Sequence, residues 1–148
     1  PLLCGYNFVH EADRIASKFP EKVQTHEGAS FISSKLGEKE LYALIERWEQ
    51  DQVPLLCGHP ASMGHGLNLQ GSSARATLWF SIPWSLDLYR QFNARLFGGH
   101  RRQGESVVHH ILARNTWDEV VLERLRGNII TQDGLKQAVK AYRERRGL

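Results

Sequence analysis

The sequence predicts an α/β domain in which a parallel β-sheet carries helices on both faces. Short apolar runs alternate along the chain with longer stretches whose apolar side chains recur at helical spacing. The apolar runs contain few polar residues, which is typical of parallel strands that are buried on both faces. In such a sheet, the loops at the carboxyl ends of the strands are where ligands usually bind.

The first half of the chain is predicted to contain three strands and two helices. Residues 2–6 form an apolar strand, and residues 9–19 then show helical spacing. Residues 23–26 are a second, shorter strand candidate. An apolar stripe predicts a helix over residues 38–50, and residues 53–57 form a third strand.

The second half continues the alternation after a glycine-rich loop at residues 58–71. Residues 76–82 are predicted to form a strand, and a helix begins near Ser85 and ends before the glycine pair at 98–99. Residues 107–113 form the last predicted strand.

A capping signature precedes the next helix, because Thr116 is followed three positions later by Glu119. A final helix is predicted over residues 132–145. We therefore expect one domain over residues 1–148, with its core in about residues 1–127 and a helical extension beyond it.

Composition indicates an ordinary globular domain: 41% of the 148 residues are hydrophobic and the formal net charge is only +3. No apolar run approaches the roughly 20 residues that span a bilayer, and no signal peptide is evident. These features predict a cytoplasmic protein. Cys4 and Cys57 each follow a Leu-Leu pair and are expected to be small buried thiols.

The glycine-rich loop after the third strand contains residues suited to contact with phosphates. Gly64 and Gly66 would let a partner approach the backbone closely. Ser62, His65 and Asn68 can donate hydrogen bonds to phosphate or sugar oxygens. By itself, this composition is equally compatible with an ordinary glycine-rich turn.

A second candidate feature is the helix that begins near Ser85. Gln91 and Arg95 lie four positions apart, and Arg101 and Arg102 follow the glycine pair. A guanidinium at a helix end can reach across a cleft and stabilise the charge that develops on a transferring γ-phosphoryl group. For an isolated arginine pair, a solvated basic face is the alternative interpretation.

These two features together resemble motifs V and VI of superfamily 2 helicases, specifically the Swi/Snf branch of double-stranded DNA translocases. The run at residues 59–70, His-Pro-Ala-Ser-Met-Gly-His-Gly-Leu-Asn-Leu-Gln, is most similar to phage and prophage members. Residues 2–19 resemble motif IV, and the similarity continues to about Leu125. The resemblance implies a RecA-like, P-loop NTPase-type fold, a three-layer sandwich that forms the C-terminal lobe of a two-lobed ATPase.

The resemblance also implies roles for individual residues. Arg95 would be an arginine finger on the γ-phosphate of ATP. The nucleotide side of the cleft would be formed by Gly64, Gly66 and Gln91, and the DNA backbone would be contacted by Ser62, His65 and Asn68.

The position of a second arginine finger departs from the family pattern. The family spaces its two motif VI arginines three positions apart, and Gly98 occupies that position here. The downstream Arg-x-Gly pattern fits Arg102 and Gly104, which implies an insertion of about one helical turn. Arg102 is the favoured second finger and Arg101 is the alternative.

The phosphate-holding half of such an ATPase is missing from the sequence. No Gly in the chain is followed by Lys, so there is no P-loop. ATP and Mg²⁺ would be held mainly by an N-terminal RecA-like lobe of the same polypeptide, and this chain alone is expected to be inactive as an ATPase. Because it begins at Pro1, we expect it to be part of a longer protein. The resemblance implies that its partner is double-stranded DNA rather than a membrane, and that it acts in the cytoplasm of a bacterial or phage-infected cell.

Two other classes of function remain as alternatives. One is a non-catalytic DNA-binding or regulatory domain with the same fold, which would need no arginine finger. The other is a dinucleotide-dependent oxidoreductase domain, which is disfavoured because Leu69 stands where the third glycine of the fingerprint would be. The histidines show no spacing typical of metal ligands, so no metal site is predicted.

Overall fold

The computed structural model describes residues 1–20, 28–63, 66–97, 105–127 and 132–147. Strands and helices alternate through most of this part of the chain. In order they are β1 (Leu2–Gly5), α1 (Val9–Lys18), β2 (Ala29–Ile32), α2 (Glu38–Glu49), β3 (Leu55–Gly58), β4 (Ala76–Trp79), α3 (Leu86–Phe97), β5 (Val107–His110), α4 (Trp117–Leu125) and α5 (Gln132–Arg146). The chain divides into two compact units, Pro1–Ile111 and Leu112–Leu148.

The first unit contains a five-stranded sheet in the order β2-β3-β1-β4-β5. Every neighbouring pair of strands in it is parallel. Its central strand, β1, pairs with β3 on one side, where Cys4 lies beside Cys57, and with β4 on the other. This arrangement confirms the predicted RecA-like α/β fold.

The two faces of the sheet are covered by different helices. On one face, Ile15 of α1 packs in a buried cluster with Cys4 and Cys57. On the opposite face, Phe92 of α3 lies against Trp79 of β4, with ring centroids 4.6 Å apart. Because successive side chains of a strand point to opposite faces, the same short strands can supply both layers of the core.

The helices that the hydrophobic pattern predicted are present, with ends within one or two residues of the predicted bounds. The strand candidate at residues 23–26 lies outside the described residues. Strand β2 was not predicted: its sequence, Ala-Ser-Phe-Ile, has no strong strand signal and is followed by two serines. It forms a strand because it pairs with β3, where three of its four residues are buried.

The start of α4 follows the predicted capping signature. Thr116 Oγ1 accepts a hydrogen bond from the Asp118 amide at 3.3 Å, and Glu119 Oε1 accepts one from the Asn115 amide at 3.0 Å. Asp118 Oδ2 also accepts the Ala113 amide at 2.9 Å. The two carboxylates therefore satisfy backbone donors at a helix start, where their negative charge is also favourable.

Within the second unit, α4 and α5 are joined by an aromatic contact. The rings of Trp117 and Tyr142 have centroids 4.8 Å apart, and the Tyr142 hydroxyl donates to the Asn115 carbonyl at 3.1 Å. On the exposed surface of α5, Lys140 Nζ lies 3.9 Å from Glu144 Oε1. An exposed ion pair of this kind contributes little to stability. Across the described ranges, every helix is too short or too polar to pass through a bilayer.

Gly5 allows the close approach of α3 to the sheet, and we expect Gly5→Ala to destabilise the fold. A Cβ at this position would lie 2.7 Å from Cε3 and Cζ3 of Trp79 and 3.2 Å from Phe92. Because both rings are buried and tightly packed, the expected loss is about 1–3 kcal/mol in the free energy of unfolding, measured by urea denaturation. Gly37→Ala is the comparison, since its Cβ would meet only the Glu40 carboxylate at 3.6 Å. Gly37 is the N-cap of α2, so this variant should lose only the weaker capping preference, less than about 1 kcal/mol. An equal stability loss in the two variants would contradict this packing argument.

Candidate functional site

The loop after β3 begins with a tight turn over the end of the strand. The amides of Ser62 and Met63 both donate to the His59 carbonyl, at 3.0 and 3.2 Å, which forms one helical turn. The Met63 side chain is buried and lies against Gly58, at a position that a Cβ would occupy. Gly58 therefore lets the loop turn back over the carboxyl end of the sheet.

The second part of this loop is an ordered segment, although it has no regular secondary structure. Gly66 has a φ of 77°, in the left-handed region that favours glycine. The Leu69 side chain is fully buried, and Asn68 Oδ1 accepts the Gln70 amide at 3.1 Å. Burial of Leu69 and the Asn68 turn fix the backbone of the loop.

Helix α3 is hydrogen-bonded to this loop through Arg95. The Leu69 amide donates to the Arg95 carbonyl at 3.2 Å, and Arg95 Nη1 donates to the Leu67 carbonyl at 3.4 Å. The arginine is half-buried. The two motifs that the sequence singled out therefore meet directly.

Together, residues 66–70 of the loop and the last turns of α3 line an open cavity of about 350 Å³. This size lies within the range of about 300–1,000 Å³ that is usual for small-molecule sites. Its charged lining residue is a cation, and the remaining polar lining atoms come from amide side chains and backbone. The lining residues are Gly66, Leu67, Asn68, Gln70, Gln91, Ala94 and Arg95.

Ser62 lies in a different cavity from Asn68, although the two residues are six positions apart. This second cavity, of about 430 Å³, lies between the loops that follow β1, β2 and β3. Its polar rim includes Ser33, Lys35 and His59 as well as Ser62. The sequence interpretation missed Ser33 and Lys35. A Ser-Ser-Lys run directly after a strand would have indicated such a site. Here that signal depends on β2, which the sequence did not predict.

The floor of the second cavity is aromatic. Tyr6 packs edge-on against Phe31, with centroids 6.3 Å apart, and against His59 at 6.2 Å. Burial raises the pKa of Tyr6 above its ordinary value, so its hydroxyl stays protonated as a hydrogen-bond donor at neutral pH. His59 Nδ1 accepts a hydrogen bond from the Ala61 amide at 3.1 Å, which orients the imidazole ring.

A buried carboxylate joins the ends of β1 and β4 at the same edge of the sheet. Glu11 is only 7% exposed, and its Oε2 accepts from the Ser81 hydroxyl at 2.6 Å and from the amides of Asn7 and Phe8 at 3.0 Å. Asn7 Nδ2 also donates to the Ser81 carbonyl at 3.1 Å. Charge-assisted bonds of this kind hold the loops after β1 and β4 in fixed positions, and the sequence interpretation did not identify them.

Helix α3 is held on the sheet by a stack of aromatic rings. Tyr89 stacks on Trp79 with centroids 5.3 Å apart and on His110 at 5.7 Å, and its hydroxyl lies 2.9 Å from His110 Nε2. Trp79 Nε1 donates to Asn93 Oδ1 at 3.3 Å. Burial raises the pKa of Tyr89, so this residue contributes as a neutral phenol.

Several predicted site residues fall outside the described part of the chain. These are Gly64 and His65 in the loop after β3, and Arg101 and Arg102 after α3. Among the residues that are described, no group of three or more His, Cys, Asp or Glu side chains could hold a metal ion.

Cys4 and Cys57 are both buried and free, as expected from their positions after Leu-Leu pairs. Their strands place them side by side in the sheet. A hydrogen bond that the Cys57 thiol donates to Cys4, together with burial, raises the pKa of Cys57 well above its ordinary value. Cys57 is therefore a neutral core group at physiological pH.

Comparison with solved structures identifies the fold as the RecA-like lobe found in helicase and ATPase domains. The C-terminal part of the Fun30 ATPase domain superposes with a TM-score of 0.70 at 16% identity, covering 99% of this chain and 48% of that one. The yeast DEAD-box splicing factor Prp28 has a TM-score of 0.67 at 17% identity, covering 96% and 30%. The Pyrococcus furiosus Hef helicase domain has a TM-score of 0.57 at 15% identity, covering 83% and 24%. At these identities the likeness establishes the fold.

A sequence relative comes from a phage. The protein p41 of Acyrthosiphon pisum secondary endosymbiont phage 1 is 33% identical over 146 residues, which cover 95% of this chain. The chain spans 28% of the length of that relative. No protein-family model matches the chain.

Proposed function

We propose that this chain acts as the C-terminal RecA-like lobe of an ATP-dependent DNA translocase of the Swi/Snf type. One observation carries the proposal: Arg95 and Gln91 line the same cavity as the loop of residues 66–70, so motif VI and motif V residues face one site. In this assignment Arg95 is the arginine finger, and Gln91 and Gly66 shape the nucleotide side of the cleft.

The lining of the 350 Å³ cavity suits part of a nucleotide rather than a cation. The guanidinium of Arg95 is a permanent positive charge that can contact phosphate oxygens in a planar, bidentate manner. Gly66 lacks a Cβ, and a side chain built there would point into open space, so the backbone is accessible to a bulky group. Asn68 and Gln91 add amide donors at the rim.

Magnesium would have to be held by another part of the protein. Among the described residues that line the cavity there is no carboxylate, and carboxylate and phosphate oxygens are the ligands that Mg²⁺ prefers. The chain also has no Gly-Lys pair and therefore no P-loop. We accordingly assign ATP and Mg²⁺ mainly to an N-terminal RecA-like lobe of the same polypeptide, with Arg95 acting across the cleft between the lobes.

The second cavity is the proposed contact surface for double-stranded DNA. Its rim supplies hydroxyl groups from Ser33 and Ser62 and a cation from Lys35, which are groups that commonly bind phosphate oxygens. His65 is assigned to the same role by the family resemblance, and Asn68 would bind at the edge of the nucleotide cavity. Such contacts fix the protein on the DNA backbone without reading its sequence.

A second arginine finger completes the proposal. The Arg-x-Gly pattern favours Arg102, and Arg101 is the alternative. The comparisons support the general assignment, because Fun30, Prp28 and Hef are named as ATPase, DEAD-box or helicase proteins, and p41 is a phage protein.

Duplex-stimulated ATP hydrolysis tests the proposed function. The full polypeptide that contains this chain should hydrolyse ATP slowly alone and much faster with double-stranded DNA. Stable duplex binding with no nucleotide hydrolysis would instead identify a DNA-binding or regulatory domain.

Lys35→Ala is expected to weaken duplex binding, because it removes a phosphate contact from the rim of the second cavity. The slope of log affinity against log salt concentration should fall in magnitude by about 0.9, and the loss should be similar for all DNA sequences. Fluorescence anisotropy over a salt series measures both quantities. Lys18→Ala is the control, because Lys18 lies at the end of α1 and lines a different cavity. Equal salt slopes for Lys35→Ala and the wild type would rule out this contact.

A further inference from the structure

The loop that carries the nucleotide-site residues is held by the end of α2, a helix that contributes no residue to the cavity lining. Trp48, near the end of α2, is 0% exposed, and its Nε1 donates to the Leu69 carbonyl at 2.9 Å. A buried indole N–H that lost this acceptor would have no water to replace it, so the bond is costly to break.

The same helix end holds the loop at a second point. Asp51, just after α2, accepts the Ser73 amide through Oδ1 at 2.7 Å. Gly71 lies so close to Glu49 that a Cβ would approach the Glu49 side chain to 2.6 Å. The loop is therefore fastened to the end of α2 on both sides of Gln70, and its backbone has little freedom to shift independently of that helix.

Leu69 connects this fastening to the arginine. Its carbonyl accepts from Trp48, and its amide donates to the Arg95 carbonyl at 3.2 Å. Arg95 is also bonded to the loop through its guanidinium, which donates to the Leu67 carbonyl at 3.4 Å. A displacement of Leu69 would therefore move both the backbone of Arg95 and an acceptor of its side chain.

We infer that Trp48 is a positioning residue for Arg95: by fixing Leu69, its indole N–H sets where the guanidinium lies in the cavity. The catalytic consequence rests on the proposed function of that cavity. A guanidinium that stabilises developing charge must be held in place before the reaction, so its displacement reduces turnover more than it weakens substrate binding. Trp48 itself touches neither the cavity nor the proposed substrate.

Trp48→Phe is the informative variant, because it keeps an aromatic ring in the core and removes the N–H donor. Replacement of Trp48 with benzothienylalanine, which is closer to tryptophan in shape, separates loss of the donor from loss of volume. Trp117→Phe makes the same chemical change at a partly exposed residue of the second unit and serves as the matched control.

The first measurement is hydrogen–deuterium exchange in the full polypeptide, which needs no enzymatic activity. Loss of the Trp48 bond should make the Leu69 amide exchange about tenfold faster, and the peptide containing Arg95 should also lose protection. Trp117→Phe should leave both unchanged. Wild-type protection of Leu69 and Arg95 in both Trp48 variants would overturn the inference, whatever the protein's activity.

The second measurement is steady-state ATP hydrolysis with duplex DNA. Both Trp48 variants should lower kcat by about tenfold while the KM for ATP stays within about twofold. On an Arg95→Ala background, Trp48→Phe should have no further effect on kcat. Full additivity of the two substitutions, or a change in KM alone, would overturn the inference. Absence of hydrolysis in the wild type would refute the proposed function, and the exchange data would then decide the role of Trp48 alone.

Discussion

Arg95→Ala is expected to lower kcat for duplex-stimulated ATP hydrolysis by about 10³-fold or more, the usual effect of losing an arginine finger. The guanidinium lines the cavity together with Gln91 and is the only charged group in its described lining. No neighbouring side chain in that lining can replace its charge. Steady-state hydrolysis by the full polypeptide measures the loss, and the KM for ATP should change much less than kcat.

Two further variants make this result specific to the guanidinium. Arg95→Lys keeps the positive charge but loses the planar fork, so we expect it to restore only a small part of the activity. Arg90→Ala removes an exposed cation from the same helix, outside the cavity lining, and should retain nearly full turnover. Turnover within about twofold of wild type in Arg95→Ala would refute the assignment of a finger to this residue.

Trp79→Ala is expected to cause the largest loss of stability, about 3–5 kcal/mol in the free energy of unfolding. The indole is 0% exposed, stacks on Tyr89, packs on Phe92 and donates to Asn93. Its removal would leave a large void beneath α3, the helix that carries Gln91 and Arg95. Urea unfolding of the chain measures the effect.

Trp117→Ala provides the comparison for this stability effect, because Trp117 is 41% exposed and loses less contact on truncation. It should cost clearly less than Trp79→Ala. Trp79→Phe, which retains a ring between Tyr89 and Phe92, should also cost less than the alanine variant. Similar urea-unfolding midpoints for Trp79→Ala and Trp117→Ala would contradict the central packing role of Trp79.

Much of the fold could be predicted from sequence because its helices have clear apolar stripes. The stripe over residues 38–50 and the pattern from Ser85 each correspond to an observed helix, α2 and α3. β2 could not be predicted, because Ala-Ser-Phe-Ile becomes a strand through pairing with β3 rather than through its own preference. The order of strands in the sheet was likewise not determined by any local pattern.

The candidate site was predictable where the residue type itself carries the chemistry. A guanidinium and an amide spaced one helical turn apart indicate a shared face, and Arg95 and Gln91 do line one cavity. The chemical roles of both residues remain predictions.

The residues that hold the site in position could not be predicted. Trp48 and Leu69 are 21 positions apart, and Glu11 and Ser81 are 70 apart. In each pair the partner is defined only by tertiary packing. Ser62 and Asn68 line different cavities for a similar reason. The loop turns tightly after β3 because Met63 packs against Gly58, and this contact is also defined only by tertiary packing.

Displacement of a third strand from a DNA triplex tests translocation by the full polypeptide most directly. We expect release of the third strand to require ATP, to leave the underlying duplex annealed, and to be lost with Arg95→Ala. A protein that binds the duplex and hydrolyses ATP, yet leaves the triplex intact at saturating ATP, would contradict the assignment of this chain to a DNA translocase.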